Sequence, residues 1–461
     1  MHKEVASLEN FILKLKELIG PDLVSGNETV LEQHSRDESY HTPHLPQAVV
    51  FPESVEQVRK VVAFANENRI PVIPFGLGSS LEGHVIPYQG GITLDMMRMN
   101  KVVEVLDRDF IVRVQPGVTR TQLNRELKKY GLFFPVDPGA DATLGGMAAT
   151  NASGTTSVKY GVMRDQVYDL EVVLADGTVI HTGSLAAKSS SGYHLNGLMV
   201  GSEGTLGVIT ELALKVYGIP EAMVAARAVF ETVRQAVDAV VAIRQAGIPM
   251  ERMELVDKRS LQQANRFMGT SYPEWPTLFL EFTGNESGLK QDVNFAKDIL
   301  AEFQCKNVMF EKDEKARHKL WDARHKLAYA FVRGTPGKKM MVTDACIPLH
   351  FLPEAIEDTR KTLDRMGMDG AIVGHVGDGN YHVILMIDMG NENEIRQAQA
   401  LNEHIVSFAL SKGGTCTGEH GVGIGKAKYQ REEHGPAYGM MKKIKDLFDP
   451  NHILNPGKIF I

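Results

Sequence analysis

Residues 373–383 read Val-Gly-His-Val-Gly-Asp-Gly-Asn-Tyr-His-Val, with an apolar run on each side of Asp378-Gly379, a dipeptide that strongly favours a two-residue β-hairpin turn. With Asp378 and Gly379 as the loop, position 377 faces 380, 376 faces 381, and His375 faces His382. Directly opposed Cβ atoms lie roughly 4.5 to 5.5 Å apart, so two imidazole nitrogens can converge on one ion, each at roughly 2.1 Å. The pair is predicted to supply two ligands of a divalent-metal site. Gly418-Glu419-His420-Gly421 is the candidate source of the third. Its glycines permit close backbone approach, and an extended chain would aim Glu419 and His420 to opposite sides, so that one binds metal and the other handles a proton. Such an ion stabilises negative charge developing on an oxygen, and a neutral histidine that accepts a proton adds roughly a hundredfold or more in rate.

Glycine is the second chemical signal. The chain has 43 glycines, and they bunch at 76–91, 139–161, 197–207 and 413–425. Successive backbone N–H groups in glycine-rich turns form anion-binding nests, where a phosphate can reach the main chain. Several such loops in one region predict a large phosphorylated cofactor. The usual nucleotide fingerprints are absent: Gly76-Leu77-Gly78 lacks a third glycine at position 81, and Gly425-Lys426 lacks the first glycine of a P-loop at position 420. A nicotinamide or ATP site is therefore not expected.

The elements that must position these residues follow from periodicity. Apolar residues at 5, 8, 11, 12, 15, 18 and 19 predict a short amphipathic opening helix that stops at Gly20-Pro21. Ser54 and Gln57 form a capping box before a helix carrying Val58, Val61, Val62 and Ala65. A short strand over 70–75 then runs into the first glycine loop. Strands at 92–94, 102–106 and 111–114, a helix over 119–130, and strands at 170–174 and 208–216 follow. Near Pro220 glycine thins, and strands at 225–230 and 277–282 alternate with helices over 233–246, 288–303 and 354–366. The expected organisation is an N-terminal helical segment over 1–41, a cofactor domain over 42–220, a substrate domain over 221–430 and a return to the first domain over 431–461.

Composition excludes several classes. The chain has 461 residues, 43% hydrophobic, with 50 Lys plus Arg against 57 Asp plus Glu, a formal charge of −7. That balance offers no broad basic face to a nucleic acid. The longest apolar runs, such as 383–387, are far shorter than the roughly 20 residues that span a bilayer. Residues 1–20 carry no small-residue cleavage site, so no secretory signal is expected. The chain is predicted to act in the cytoplasm, meeting a membrane only through a partner. Three cysteines, Cys305, Cys346 and Cys416, make neither a disulfide framework nor a four-thiolate iron–sulfur cluster.

The glycine loops carry a resemblance. Pro74-Phe75-Gly76-Leu77-Gly78-Ser79-Ser80-Leu81, Asp137-Pro138-Gly139, Thr143-Leu144-Gly145-Gly146-Met147, Asn151-Ala152-Ser153-Gly154 and 201–210, which includes Glu203, Gly204 and Ile209, resemble in order and spacing the FAD-binding domain of the vanillyl-alcohol-oxidase type. The resemblance implies an α+β fold: a two-part FAD-binding domain of the PCMH type, with a ferredoxin-like α+β substrate or cap domain. It implies that these loops hold the pyrophosphate and isoalloxazine of FAD, and that Asn455 approaches the flavin. Family members with covalent flavin have histidine where this chain has Ser79, so noncovalent FAD is implied.

The histidine motifs, with Trp321-Asp322-Ala323-Arg324-His325 and Thr343-Asp344-Ala345-Cys346-Ile347-Pro348, look like those of the FAD-linked D-2-hydroxyacid dehydrogenases, closest to the branch of D-lactate dehydrogenases and glycolate oxidase flavoprotein subunits. The likeness spans nearly the whole chain. It implies that His375, His382 and Glu419 bind a divalent metal, zinc or manganese. It further implies that His420 is the general base and that Arg324 grips the substrate carboxylate. Relatives that oxidise 2-hydroxyglutarate carry a basic residue where this chain has Val342, so a small monocarboxylic substrate is expected, D-lactate first and glycolate second. With no cluster and no haem-attachment motif of its own, the chain is expected to pass electrons to a protein or quinone-linked acceptor, an iron–sulfur subunit being one form, and to form a homodimer. The competing readings are the flavoprotein subunit of a multi-subunit glycolate oxidase and a flavin-dependent non-redox transferase on the same scaffold. Glu419 argues against the transferase, whose metal set looks richer in histidine.

Overall fold

The computed structural model describes residues 2–460, the side chains of 2–8, 323, 325 and 328 excepted. The chain divides into two units, one of Met1–Ser153, Gly161–Ile219 and Glu419–Ile461, the other of Gly154–Tyr160 and Pro220–Gly418. The crossing after Ile219 lies where glycine thins. The return to the first unit comes at Glu419, earlier than the expected 431, because Val422 and Gly423 donate backbone N–H groups to Glu203, and Ile424 donates to the carbonyl of Glu82.

In the first unit a four-stranded sheet runs in the order Val24–Ser25, Ala48–Val50, Ile92–Asp95, Val72–Phe75, the last three parallel. The helix Val55–Asn68 makes the crossover, burying Val58, Val61, Val62 and Ala65. Ser54 caps it as expected, its Oγ accepting from Gln57 N. The reciprocal contact is shifted by one residue: Gln57 Oε1 accepts from Glu53 N at 2.7 Å, so the capping box is incomplete. The opening helix His2–Ile19 packs Phe11, Ile12, Leu15, Leu18 and Ile19 on this core; Val5 and Leu8 fall outside the described side chains. The tail extends the same sheet, since Val72 N donates to Ile453 O and Asn455 N to Val72 O.

A five-stranded antiparallel sheet follows in the order Val102–Leu106, Ile111–Val114, Val208–Lys215, Val167–Val173, Val179–His181. It shares a core of Val112, Leu123, Leu144, Met147, Leu170 and Leu212 with the helices Arg120–Leu127 and Leu144–Thr150. This gives the two-part arrangement expected of the cofactor domain.

The second unit is built on one antiparallel sheet in the order Asn307–Glu311, Ala222–Val229, Thr277–Gly284, Met250–Val256, Gly370–His375, Asn380–Ile387, Lys339–Val342. Its first four strands lie in the order fourth, first, third, second, with helices Val233–Gln245 and Glu286–Glu302 as the connections, the arrangement of a ferredoxin-like βαββαβ unit. Among the described residues no helix is long and apolar enough to cross a membrane.

Candidate active site

The histidine hairpin forms, in a register that differs from the expected one. His375 faces Asn380, and His382 faces Val373, so four residues, 376–379, make the loop. The local preference of Asp-Gly for a two-residue turn loses to contacts that pin a wider one. Asp378 N donates to His375 O, Asp378 Oδ2 accepts from Ser157 Oγ at 2.7 Å, and Ile347 N donates to Gly379 O. A Cβ on Gly379, whose φ is +83°, would lie 2.1 Å from Ile347 O. The histidines are nonetheless diagonal neighbours on one face, a separation that long rings can bridge. Their ring centroids are 5.4 Å apart, with the planes inclined at 80°.

Each ring is fixed through Nδ1. His375 Nδ1 donates to Glu254 Oε1 at 2.6 Å, and His382 Nδ1 donates to the carbonyl of Thr343 at 3.1 Å. A carbonyl can only accept, so in neutral His382 the proton sits on Nδ1 and Nε2 carries the lone pair. An imidazole held this way by a carboxylate or carbonyl is the usual support of a metal-ligating histidine, and both side chains are buried. The pair therefore fits a metal ion. Glu254, fully buried, spends its other oxygen on Arg324, whose Nη2 donates to Oε2 at 2.7 Å. Arg324 Nε is buried without an acceptor among the described residues, which leaves it available for a carboxylate.

Asp344 anchors the approach to the second motif. Its Oδ1 accepts from Asn380, while Oδ2 accepts from Thr417 Oγ1 at 2.6 Å and from Gly418 N at 2.8 Å. The next residue, Glu419, begins the final segment of the first unit. The chain bends here, so the expectation that Glu419 and His420 point to opposite sides is corrected: His420 Nε2 lies 3.7 Å from Glu419 Oε1. Flanking glycines permit that bend where β-branched residues would have kept the strand extended. Glu419 Oε2 also accepts from Ser153 Oγ at 3.1 Å.

The glycine loops at 76–81, 139–146 and 201–207 lie in the first unit, whereas Gly154 and residues 413–418 belong to the second. Strand Val72–Phe75 delivers the chain to Gly76, and the backbone N–H groups of 76–81 donate to no protein acceptor among the described residues. Gly76 lies against Thr143, where a Cβ would meet Oγ1 at 2.4 Å, and Gly204 lies against Pro74 at 3.0 Å. Gly78 has φ +65°, and Ser80 Oγ is held by Asp37 at 2.9 Å. Asn455 Nδ2 donates to the carbonyls of Glu203 and His84. Pro138 and Gly139 lead an accessible turn into Thr143, the cap of Leu144–Thr150, which Asn151 ends with φ 51°. Six unspent amides at the carboxyl end of a parallel strand suit a pyrophosphate, so this unit fits FAD.

Other expected contacts have structural employment. Gly145 packs on Pro116 and donates its N–H to that residue's carbonyl. Gly146 N donates to the Thr143 cap, Gly154 O accepts from Ser157, and Ile209 is half-buried on the antiparallel core. Ser79 and Leu81 lie in the open loop, both partly exposed. Sequence reading missed Glu254. The signal was the alternation of Met253 and Leu255 about it in strand Met250–Val256, a carboxylate placed where a strand should be buried.

Comparison with known proteins decides the family. The model for FAD linked oxidases, C-terminal domain, matches residues 219–459, and that for the FAD binding domain matches 46–183. The chain belongs to the FAD-linked oxidase family. This FAD-linked oxidase binds FAD and is an FAD-dependent oxidoreductase. It is 45% identical over 460 residues to a Danio rerio protein named "Probable D-lactate dehydrogenase, mitochondrial", with 99% of this chain and 93% of that one covered. It is 40% identical to the D-lactate dehydrogenase (cytochrome), mitochondrial, of Arabidopsis thaliana, covering 98% and 80%, and 31% identical to glycolate oxidase subunit GlcD of Bacillus subtilis, covering 97% and 96%. In fold it matches p-cresol methylhydroxylase with substrate bound at TM-score 0.82 and 19% identity, with 100% of this chain and 98% of that one covered. That likeness speaks for the PCMH-type architecture.

Proposed function

We propose that this FAD-linked oxidase oxidises D-lactate to pyruvate, and glycolate to glyoxylate as a slower alternative. The observation that carries the reading is the grouping of two Nδ1-anchored histidines on one sheet face with a half-buried arginine, Arg324, whose Nε is buried and unspent. His375 and His382, with Glu419 as the third ligand, would hold a divalent metal, zinc or manganese, which would lower the cost of charge developing on the substrate hydroxyl. The loops around Gly76, Thr143 and Gly204 would hold FAD, which would supply the acceptor for the hydride that leaves the substrate carbon. Arg324 holds the carboxylate by two parallel hydrogen bonds, Nε supplying the one that Glu254 leaves free. His420 accepts the hydroxyl proton. Support for Glu419 is the chain itself, since Asp344 fixes Gly418 immediately before it.

One anchor suits one carboxylate. Val342 offers nothing to a second, whose unpaired burial would cost several kcal/mol. One methyl in a pocket is worth only roughly 1 to 3 kcal/mol, so D-lactate is expected to exceed glycolate by a modest factor. The test is kcat/KM for D-lactate, L-lactate, glycolate and D-2-hydroxyglutarate with one dye. A preference for the L-isomer or the dicarboxylate refutes the assignment.

FAD is held noncovalently. Ser79 cannot form the usual tether, and His84 is buried in an ion pair with Glu203 at 3.2 Å. Burial lowers the affinity of His84 for a proton, but Glu203, Asp37 and Glu82 outweigh it and hold the imidazole above its ordinary pKa. Acid precipitation is expected to release all the flavin; colour retained in the pellet would point to a covalent link at His84. Electrons leave to a protein or quinone-linked acceptor, a role compatible with a cytoplasmic protein or with a subunit of a glycolate oxidase assembly. Oxygen is expected to support at most a few per cent of the dye-linked rate, and equal rates would make the protein a true oxidase.

A further inference from the structure

Glu254 joins two groups to which the proposed reaction gives separate tasks. It stands on strand Met250–Val256 directly opposite His375, is fully buried, and divides its carboxylate evenly: Oε1 takes the Nδ1–H of His375 at 2.6 Å, and Oε2 takes Nη2 of Arg324 at 2.7 Å. A buried carboxylate is tolerated only when both oxygens are well paired, and these two contacts are charge-assisted and short. The backbone holds the arrangement on one side, because Glu254 and His375 are cross-strand partners. Arg324 reaches it from the helix Glu314–His325, whose Trp321, one turn away, is buried and donates its indole N–H to Glu281.

We propose that Glu254 is a positioning residue that couples the metal ligand His375 to the carboxylate anchor Arg324. The inference rests on the roles assigned to those two residues above. By accepting from Nδ1–H it fixes the tautomer that turns Nε2 toward a metal and raises the basicity of that nitrogen. By accepting from Nη2 it turns the guanidinium so that Nε remains for the substrate. Both tasks need an acceptor at each oxygen. A glutamine has one acceptor and one donor at the same places, so Glu254→Gln must lose one contact whichever way its amide is turned. An aspartate keeps both acceptors on a stem one methylene too short to span them.

The experiment uses the full-length FAD-loaded protein stripped of metal with a chelator. Zinc(II) is titrated against a competing chelator, and oxamate, an unreactive isostere of pyruvate, is titrated by perturbation of the flavin spectrum. Glu254→Gln is expected to raise the zinc Kd by about tenfold or more and to weaken oxamate as well, with flavin content unchanged. Glu254→Asp should raise the zinc Kd by more than about threefold and by less than Glu254→Gln does. Arg324→Met and Glu254→Gln should be non-additive in zinc Kd by about twofold or more, since the arginine acts on His375 through this carboxylate. A zinc Kd within threefold of the parent in Glu254→Gln overturns the positioning role, and additivity within twofold overturns the coupling. If Glu254→Gln does not accumulate as folded flavoprotein, Glu254→Asp is judged by the same threefold limit. A parent that binds no zinc refutes the metal reading itself, a result distinct from normal zinc affinity in the variants.

Discussion

His382→Ala is expected to lower kcat with D-lactate by roughly a thousandfold or more while the flavin stays bound. A bound divalent ion supplies several kcal/mol toward charge developing on the substrate oxygen, and each 1.36 kcal/mol is about a factor of ten in rate. Loss of one of two imidazoles from a three-ligand set should remove most of that contribution. The flavin should persist because its loops, around Gly76, Thr143 and Gly204, belong to the first unit, whereas His382 belongs to the second. The fold should weaken too: His382 is buried, and its removal leaves the Thr343 carbonyl without that donor, at a cost of about 1 to 3 kcal/mol. Metal content by mass spectrometry, the flavin spectrum and dye-linked turnover check the expectation together. Chelation of the unmodified protein should have the same effect. Full activity in a metal-free preparation would show that the two histidines serve structure alone.

His420→Ala is expected to reduce kcat by roughly a hundred- to ten-thousandfold, the range for a general base, with a much smaller change in KM. A bare hydroxyl is too weak an acid to release its proton unaided as the hydride leaves, so the loss should fall on the chemical step rather than on binding. Arg324 and its partner Glu254 remain in place, which is why affinity should hold. Exogenous imidazole should restore part of the rate, and metal content should equal that of the parent. A fall in kcat of less than about tenfold would assign the proton to another group. The two variants are thereby distinguished, one losing its metal and the other keeping it.

Residue types and spacing made much of this legible. Period 2 and period 3.6 marked the principal strands and helices, because burial of one face leaves its imprint on any segment long enough to repeat. Helices over 233–246 and 354–366 were expected and occur as Val233–Gln245 and Leu352–Met366. Glycine clustering marked the loops where the backbone packs closely, since only glycine accepts the positive φ at Gly78 and Gly204 and the close approach of Gly76 to Thr143 and of Gly204 to Pro74. The two hairpin histidines were correctly brought together, although through a register that does not form.

That register shows where local reasoning ends. Asp378-Gly379 by itself favours a tight turn, but Ser157 and Ile347, distant in sequence, hold the loop open at four residues, and several tertiary hydrogen bonds outweigh one dipeptide preference. The same holds for Glu254. Nothing in Met-Glu-Arg-Met-Glu-Leu-Val says that one carboxylate will meet both His375 and Arg324, which lie 121 and 70 residues away. Composition, glycine spacing and periodicity determined the class of cofactor, the element types and the identity of the chemical groups, because these depend on near neighbours in the chain. The folded sheet alone decided which acceptor holds Nδ1 of each histidine and which oxygen each donor receives, because those choices depend on groups that only the tertiary fold brings within hydrogen-bond distance.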